Sequence, residues 1–197
     1  MTLFDISQEV FTCAVYPGDP VPERELLSAM SEGAVCNLSA FRMCAHNGTH
    51  IDAPLHFIPD GKSVDQVALE RFIGYAYVAA HEGEVRAEDA LRILADAQRL
   101  DRRAAARILI KGRAVLTAEA ARVLAEGGVL LFGNESQTVG PEDAPMEVHR
   151  ILLGAQVVLL EGIRLAGVEE GVYLLHAAPL NLGGAEGAPC RATLLKL

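Results

Sequence analysis

Three histidines fall within twelve residues of this chain, at positions 46–57, in the sequence HNGTHIDAPLHF. The whole chain has only six histidines, so half of them lie in this segment, together with Asp52. Imidazole and carboxylate groups are common protein ligands for catalytic metals, and two imidazoles with one carboxylate leave positions open for water and substrate. The types and spacing of these residues therefore predict a catalytic metal site.

The spacing within this segment also restricts its backbone. The candidate ligands stand at even positions and the apolar residues between them at odd positions, so an extended chain would separate them onto two faces. A helix would bring His46 and His50 together, but Pro54 is incompatible with a helix interior. A straight strand would hold these two histidines about 13 Å apart, at roughly 3.3 Å per residue. The turn-forming pair Asn47 and Gly48 instead predicts a bend that brings both rings together.

Asp52 and His56 are expected to have different roles at this site. Asp52 follows His50 by two residues on the same face and supplies the carboxylate. His56 lies farther along the chain and is better placed as a general base or acid, because the unperturbed pKa of imidazole is close to neutral pH. The alternative, surface or core histidines without a metal, is disfavoured because spacing, turn and alternation agree.

The rest of the sequence predicts the elements that must position these groups. After residue 75, short apolar runs alternate with alanine-rich amphipathic segments, a pattern typical of an α/β domain. Thr117 is a suitable N-cap for the second of the predicted helices. Strands are predicted at residues 74–80, 106–112, 129–133, 155–162, 172–180 and 191–197, and helices at residues 87–100, 118–128 and 145–154.

The first 73 residues are richer in proline, glycine and polar residues, with strands predicted at residues 3–7 and 38–45. We therefore expect a mixed sheet with both parallel and antiparallel parts. A chain of 197 residues is long enough for one hydrophobic core, and no linker or repeat interrupts it. The sequence thus predicts one α/β domain over residues 1–197.

Composition restricts the partners of the protein. The net charge of −9 would repel a nucleic-acid backbone. The N-terminal sequence MTLFDISQEV has no features of a signal peptide, and the longest apolar stretch is about half a membrane span. We therefore expect a cytoplasmic protein with a small-molecule substrate and no nucleic-acid or membrane partner. The apolar fraction of 51% also favours a homo-oligomer.

Other catalytic patterns fit less well. The four cysteines form no CxxC pair, so neither a zinc knuckle nor a dithiol redox motif is present in the sequence. The glycine-rich residues 181–189 lack a phosphate-loop lysine, so a turn before the last strand is the better interpretation of that segment. Ser136 does not lie in a GxSxG elbow, although its neighbours Glu135 and Gln137 are predicted to line the pocket. His176, near a strand end, is either a pocket residue or a packed core histidine.

Residues 46–57 resemble the signature HxGTHxDxPxHF of the cyclase family of metal-dependent hydrolases, and they match it at every fixed position. This family includes bacterial kynurenine formamidases and isatin hydrolases. The sequence YPGD at residues 16–19 resembles the family's early turn, and residues 187–191 resemble its GxPxR motif. His149, twelve residues before Glu161, resembles the family's pair of a helix histidine and a strand-end glutamate.

This resemblance implies a fold, a ligand set and an assembly. The fold would be an α/β domain with a mixed, partly barrel-like sheet flanked by helices. Asp52 would bridge two divalent ions, zinc or manganese, and His56 would transfer protons. The early turn would place Tyr16 at the substrate pocket. Family members form dimers and tetramers, so a homodimer or homotetramer is expected. The ligands implied by the resemblance are His46, His50 and Asp52 for one metal, and Asp52, His149 and Glu161 for the other.

The reaction implied is hydrolysis of an amide-like C–N bond, in a formamide or cyclic amide, as in kynurenine formamidase (arylformamidase). Bound water would attack the carbonyl, and His56 would pass a proton to the leaving nitrogen. Kynurenine formamidases usually have tryptophan where this chain has Tyr16, and aromatic residues make up only 5% of the chain. A non-aromatic lactam, lactone or other cyclic substrate is therefore the alternative.

Two non-catalytic functions are also compatible with a metal site. A protein that binds a ligand through a metal without turnover has no need of a proton-transfer residue such as His56. A structural zinc module is usually rich in cysteine and closed to solvent. Both are disfavoured by the residues of the signature segment.

Overall fold

The backbone of residues 1–196, which the computed structural model describes, forms thirteen β-strands and three α-helices. Leu197, at the end of the last predicted strand, lies outside the described residues. The strands are β1 (Thr2–Asp5), β2 (Glu23–Ser28), β3 (Leu38–Arg42), β4 (His50–Asp52), β5 (Ile73–Ala80), β6 (Gly83–Val85), β7 (Arg107–Lys111), β8 (Ala114–Leu116), β9 (Leu131–Asn134), β10 (Val158–Glu161), β11 (Gly171–His176), β12 (Gly187–Pro189) and β13 (Thr193–Lys196). The helices are α1 (Ala87–Leu100), α2 (Ala118–Glu126) and α3 (Met146–Gly154).

Nine of these strands form one sheet, in the order β1-β13-β11-β5-β7-β9-β10-β4-β12. The four strands β5, β7, β9 and β10 are parallel to one another, and a helix lies between each consecutive pair in the chain. Parallel neighbours require such crossover connections. The strands on both sides of this centre are antiparallel, and the sheet curls into half a barrel. The predicted mixed, partly barrel-like sheet is confirmed.

Apolar side chains cover both faces of the central strands. Ile108 and Ile110 pack in the cluster that contains the apolar faces of the three helices, whereas Leu109 between them packs in the cluster on the opposite face. Successive residues of a strand point to opposite faces, so a strand buried on both sides needs a continuous apolar run. This accounts for the run ILI at residues 108–110.

Strand β4 is short, but its register determines which side chains share a face. It lies between β10 and β12 in the sheet, and its pairing with β10 sets His50 opposite Glu161 and Asp52 opposite Leu159. Directly opposed residues project to the same face. His50, Asp52 and Glu161 therefore point to the helix-bearing side of the sheet, whereas Ile51 is buried on the other side.

The elements predicted after residue 73 are present, with some changes at their ends. Helix α1 has the predicted bounds, and Thr117 caps α2 by accepting a hydrogen bond from the Ala120 N–H at 3.2 Å. Strand β10 begins three residues later than predicted, because Ala155 caps α3 and Gln156 has a positive φ of 64°. Strand β11 ends at His176, opposite the first residue of its partner β5.

Most of the strands that the sequence does not predict are very short. Strands β4, β6, β8 and β12 have three residues each, too few for a recognisable alternation. The sequence also does not predict the longer β2, which pairs with β3 in a hairpin apart from the large sheet. The glycine-rich residues 181–189, predicted as a turn, contribute β12 to the edge of the large sheet. Within residues 1–196, no helix has the length and apolar character needed to cross a bilayer.

The cap of α2 gives a test of the fold. Replacing Thr117 by alanine removes the bond to Ala120 and a second bond from the Thr117 hydroxyl to the Val85 carbonyl at 3.1 Å. We expect the free energy of unfolding to fall by about 1 kcal/mol, as measured by urea denaturation. Thr117→Ser, which keeps the hydroxyl, should unfold close to the wild type. Equal midpoints for the alanine variant and the wild type would contradict the cap.

Candidate metal centre

The turn before β4 brings two histidines together. The Asn47 side-chain oxygen accepts a hydrogen bond from the Cys44 N–H at 2.8 Å, and the Asn47 N–H donates to the Cys44 carbonyl at 3.2 Å. Gly48 has a φ of 64°, in the left-handed region that favours glycine. The centroids of the His46 and His50 rings lie 5.1 Å apart. The predicted bend at Asn47 and Gly48 is confirmed.

The chain does not stay extended after β4, and here the predicted alternation is wrong. Residues Pro54–His56 form a short 3-10 helix, and the His56 N–H donates to the Ala53 carbonyl at 2.9 Å. Proline favours the first turn of a helix because its φ is already suitable. This turn brings the His56 ring back over His46, with the two rings stacked at a centroid distance of 4.1 Å.

The first candidate ligand set consists of His46, His50 and Asp52, whose ligand atoms all lie within 4.8 Å of one another. His46 Nδ1 lies 2.8 Å from Asp52 Oδ1, and His50 Nε2 lies 3.3 Å from the same oxygen. These are the three residues that the sequence predicts for one metal. The turn at Asn47 and Gly48 brings them together, with His46 before the turn and His50 and Asp52 after it.

The second candidate set consists of Asp52, His149 and Glu161, again with ligand atoms within 4.8 Å. His149 Nε2 lies 3.2 Å from Glu161 Oε1 and 3.6 Å from Asp52 Oδ2. Asp52 thus directs one carboxylate oxygen to each set. His149 lies in α3 and Glu161 at the end of β10. The chain reverses direction between these two elements, so both side chains reach the same part of the site.

Backbone groups orient several of these side chains. His50 Nδ1 donates to the Gly48 carbonyl at 3.0 Å, and His149 Nδ1 donates to the Pro145 carbonyl at 2.8 Å. In the neutral form of each ring, Nε2, the nitrogen facing the carboxylates, then carries the lone pair that can bind a metal. The Val139 N–H also donates to Glu161 Oε1 at 2.9 Å. The ligand atoms are therefore held in place before any metal binds.

The electrostatics of the centre are dominated by its two carboxylates. Burial disfavours a charged His50, but hydrogen bonds and charge from Asp52 and Glu161 outweigh it and raise the pKa of His50 to about 10. Burial likewise acts against charge on His46 and His149, but bonds to Asp52 and Glu161 respectively raise the pKa of each ring. Without a metal, the site holds protons that a divalent cation would displace.

The centre fits a divalent metal by its donor chemistry and its burial. Asp52 and Glu161 are only 1% and 2% exposed. Buried carboxylates are normally paired with cations or bound to metals, because an isolated buried charge is very costly. Mixed imidazole and carboxylate donors suit several divalent transition metals, zinc and manganese included. These five side chains are therefore a suitable set of ligands.

A cavity of about 260 Å³ opens onto the ligands, and we call it the metal-site cavity. Two predicted pocket residues line it. The Tyr16 hydroxyl donates to the Glu142 carbonyl at 2.9 Å, and Gln137 Nε2 donates to the Gly48 carbonyl at 2.9 Å. The composition gave little support for an aromatic pocket, yet the cavity contains aromatic side chains. Besides the histidines and Glu161, its lining is formed by Tyr16, Asp19, Phe57, Gln137, Thr138 and Pro145.

Two of the predicted pocket residues, Glu135 and His176, do not line the metal-site cavity. Glu135 uses one carboxylate oxygen to accept from the Gly112 N–H at 2.8 Å and the other to accept from the Leu165 N–H at 2.8 Å. Its carboxylate therefore joins two backbone segments by hydrogen bonds, and the residue does not line the metal-site cavity. His176 is exposed and lines a separate cavity of about 610 Å³. Because Leu175 points into the core, the alternation of β11 turns His176 outward.

Several residues at the site were not predicted. Asp19 and Phe57 lie in the two quoted motifs, at residues 16–19 and 46–57, so those motifs could have indicated them. Thr138 and Glu186 have no comparable sequence pattern. Glu186 Oε1 lies 3.2 Å from His46 Nε2, and it reaches the site only because β12 pairs with β4.

Comparisons with known proteins agree with this geometry. The model of the family Cyclase, described as "Putative cyclase", matches residues 4–141. The kynurenine formamidase of Salinibacter ruber is 33% identical over 213 aligned residues, which cover 98% of this chain and 97% of that protein. A solved structure described as a potential metal-dependent hydrolase with cyclase activity has a TM-score of 0.79 and 26% identity, with 98% of this chain and 96% of that chain covered.

A third similarity concerns the fold alone. Isatin hydrolase A from Labrenzia aggregata has a TM-score of 0.79 and 23% identity, with 98% of this chain and 93% of that chain covered. The similarity in each of these relatives extends over nearly the whole chain. It therefore includes the turn, the strands and the helix that carry the candidate ligands.

The two ligand sets give a test through their shared member. Asp52→Asn removes the charge common to both sets, whereas His149→Ala changes only one of them. After dialysis against zinc, we expect Asp52→Asn to retain much less metal than His149→Ala, as measured by elemental analysis. Asp60→Asn, which changes an exposed carboxylate nearby in sequence, should match the wild type. Wild-type zinc content in Asp52→Asn would contradict the proposed centre.

Proposed function

The chain belongs to the Cyclase family, and from this premise we propose that it is a metal-dependent hydrolase that cleaves an amide-like C–N bond. The observation that carries the proposal is the convergence of two ligand sets on Asp52, next to a histidine that belongs to neither set. The kynurenine formamidase of Salinibacter ruber, similar along nearly its whole length, supports a formamide as the substrate class.

We propose that the centre binds zinc or manganese, with two ions per subunit. Two ions are supported because the two Asp52 oxygens point toward separate ligand sets. A divalent metal at this centre would polarise the scissile carbonyl and lower the pKa of attacking water. The protein's part is to hold His50 and His149 with Nε2 toward the carboxylates, as their bonds to backbone carbonyls do.

His56 is the group placed to move a proton. Burial lowers the pKa of His56; attraction from Asp52 opposes this effect, and repulsion from His46 and His149 adds to it. His56 is therefore neutral near neutral pH and able to accept a proton from the attacking water. The ring lies in the lining of the metal-site cavity, so the same nitrogen can then donate that proton to the leaving amine.

The lining of the cavity supports a small substrate with a flat apolar part. Tyr16 and Phe57 provide aromatic surface beside the ligands, which suits an N-formylated aromatic amine such as N-formylkynurenine. The second candidate is a non-aromatic lactam or lactone, and the cavity volume of about 260 Å³ favours it because so small a space suits a compact ring.

We also propose a homodimer or homotetramer. The β2–β3 hairpin exposes large apolar side chains, with Leu26 and Leu38 each 53% exposed and Phe41 60% exposed. An isolated two-stranded hairpin is only marginally stable in water, so contact with a second copy would stabilise it. A cytoplasmic location stays a prediction of the sequence.

Replacing His56 by alanine tests the proton-transfer role. We expect the turnover rate to fall by at least about 100-fold, because general acid–base catalysis is lost. Bound metal, measured by elemental analysis, should stay at the wild-type level because His56 belongs to neither ligand set. His176→Ala, which changes an exposed histidine outside the metal-site cavity, is the matched control and should keep full activity. Retained turnover in His56→Ala would remove this residue from the mechanism.

A substrate panel tests the reaction class. Zinc-loaded and manganese-loaded protein should be assayed with N-formylkynurenine, simple lactams and lactones, and product formation followed by chromatography. We expect the highest kcat/KM with the formamide, since the aromatic lining matches its ring. A preference for lactams or lactones would favour the second candidate. Bound metal without turnover on any member of the panel would overturn the hydrolase proposal and favour a ligand-binding protein.

A further inference from the structure

The three imidazoles of the metal centre do not face the carboxylates with the same nitrogen. His50 and His149 present Nε2 and bond their Nδ1–H to backbone carbonyls. His46 is reversed, because its Nδ1 faces Asp52 Oδ1 at 2.8 Å and its Nε2 points away from the ligand sets. That outer nitrogen lies 3.2 Å from Oε1 of Glu186, a side chain outside both sets.

A neutral imidazole has one N–H and one lone pair, so the partner of one nitrogen decides the state of the other. Both nitrogens of His46 face carboxylates, so both can carry protons while no metal is bound. A divalent cation would displace the Nδ1 proton, and the tautomer that remains has its proton on Nε2, where Glu186 accepts it. We propose that Glu186 is a positioning residue that fixes this tautomer and so presents His46 Nδ1 to the metal centre. This inference rests on the proposed metal-dependent function.

The backbone holds Glu186 beside the His46 ring. The Glu186 carbonyl accepts from the Ala53 N–H at 2.8 Å, and the next residue, Gly187, pairs with Asp52 across the edge of the sheet. A Cβ at Gly187 would lie 2.6 Å from His46 Cε1, so only glycine lets the chain pass this close. The pairing of β12 with β4 thus holds the Glu186 side chain within reach of His46 Nε2.

The stacking of His56 also restricts the His46 ring. The two ring planes are inclined by only 29° at a centroid distance of 4.1 Å. The chain at Gly187 and the His56 ring leave His46 little freedom to turn, so the nitrogen that faces Asp52 stays the same. A bond to Glu186 at the opposite nitrogen is therefore compatible with metal binding at Nδ1.

Glu186 is better explained as a partner of His46 than as a metal ligand. Asp52 and the His50 ring lie on the Nδ1 side of His46, whereas Glu186 Oε1 lies beyond Nε2 on the other side of the ring. The candidate sets include Asp52 but not Glu186. Carboxylates that accept the outer N–H of a ligating histidine orient the ring and strengthen it as a donor.

The first experiment measures zinc affinity by competition with a chelator. The variants are Glu186→Ala, Glu186→Gln and the control Glu169→Ala, which removes an exposed carboxylate that pairs with Lys196. Loss of a carboxylate partner of a ligating histidine weakens metal binding by about 10-fold to 100-fold. Because the Glu186 side chain is 44% exposed and water can replace it, we expect about a 10-fold loss in Glu186→Ala.

The conservative variant separates the hydrogen bond from the charge. The amide oxygen introduced by Glu186→Gln can still accept the Nε2–H, so this variant should keep most of the affinity, and Glu169→Ala should match the wild type. Equal affinity of Glu186→Ala and the wild type would overturn the proposal. An equal loss in Glu186→Gln and Glu186→Ala would also overturn it, because the hydrogen bond would then have no effect.

The second experiment identifies the tautomer directly. In the zinc-loaded wild type, long-range ¹H–¹⁵N correlation spectra should show His46 with a protonated Nε2 and a metal-bound Nδ1, whereas His50 and His149 should show the reverse. Coordination of His46 through Nε2 would overturn the proposal even if metal binds normally. A wild type that binds neither zinc nor manganese would instead overturn the proposed function itself, so the two failures are distinguishable.

Discussion

Two buried carboxylates, Asp52 and Glu161, are the constraint on which the rest of the centre depends. Each is almost fully buried, and both face the same small space. An ionised carboxylate in a protein interior is tolerated only with cations or several hydrogen-bond donors around it. The three histidines around them meet this need, and so would a metal. The segments that carry these carboxylates and histidines must therefore pack together for the fold to be stable, and the same packing assembles the candidate metal site.

The sheet satisfies this constraint through the register of its shortest strands. β4 has three residues, yet it carries His50 and Asp52 and pairs with β10 on one side and β12 on the other. A slip of one residue would turn both side chains to the opposite face. The buried Ile51 between them opposes such a slip, because the slip would place Ile51 among the polar groups of the metal site and bury His50 and Asp52 in the apolar cluster on the other face. Hydrophobic packing thus protects the geometry of the polar site.

The centre is assembled from local and distant parts of the chain. The turn at Asn47 and Gly48 and the short helix ending at His56 come from one continuous segment. His149 and Glu161 are supplied by the helix and strand of a single crossover unit. The edge strand β12 then brings Glu186 against His46. Candidate ligands therefore come from both local and distant segments, and the groups that orient them are local for His50 and His149 and distant for His46.

The sequence by itself determined the central helices and strands, because these depend on local periodicity and capping. It also predicted the residues of both candidate ligand sets, from the signature segment at residues 46–57 and from the resemblance of His149 and Glu161 to a family pattern. The 3-10 turn at His56, the outward direction of His176 and the use of Glu135 in a loop depend on packing, and their local patterns do not reveal it. Only the tertiary structure decided that Glu186 meets His46, because strand pairing brings together residues 140 positions apart. Such pairing follows from the summed contacts of the whole sheet, and no short window of sequence contains that information.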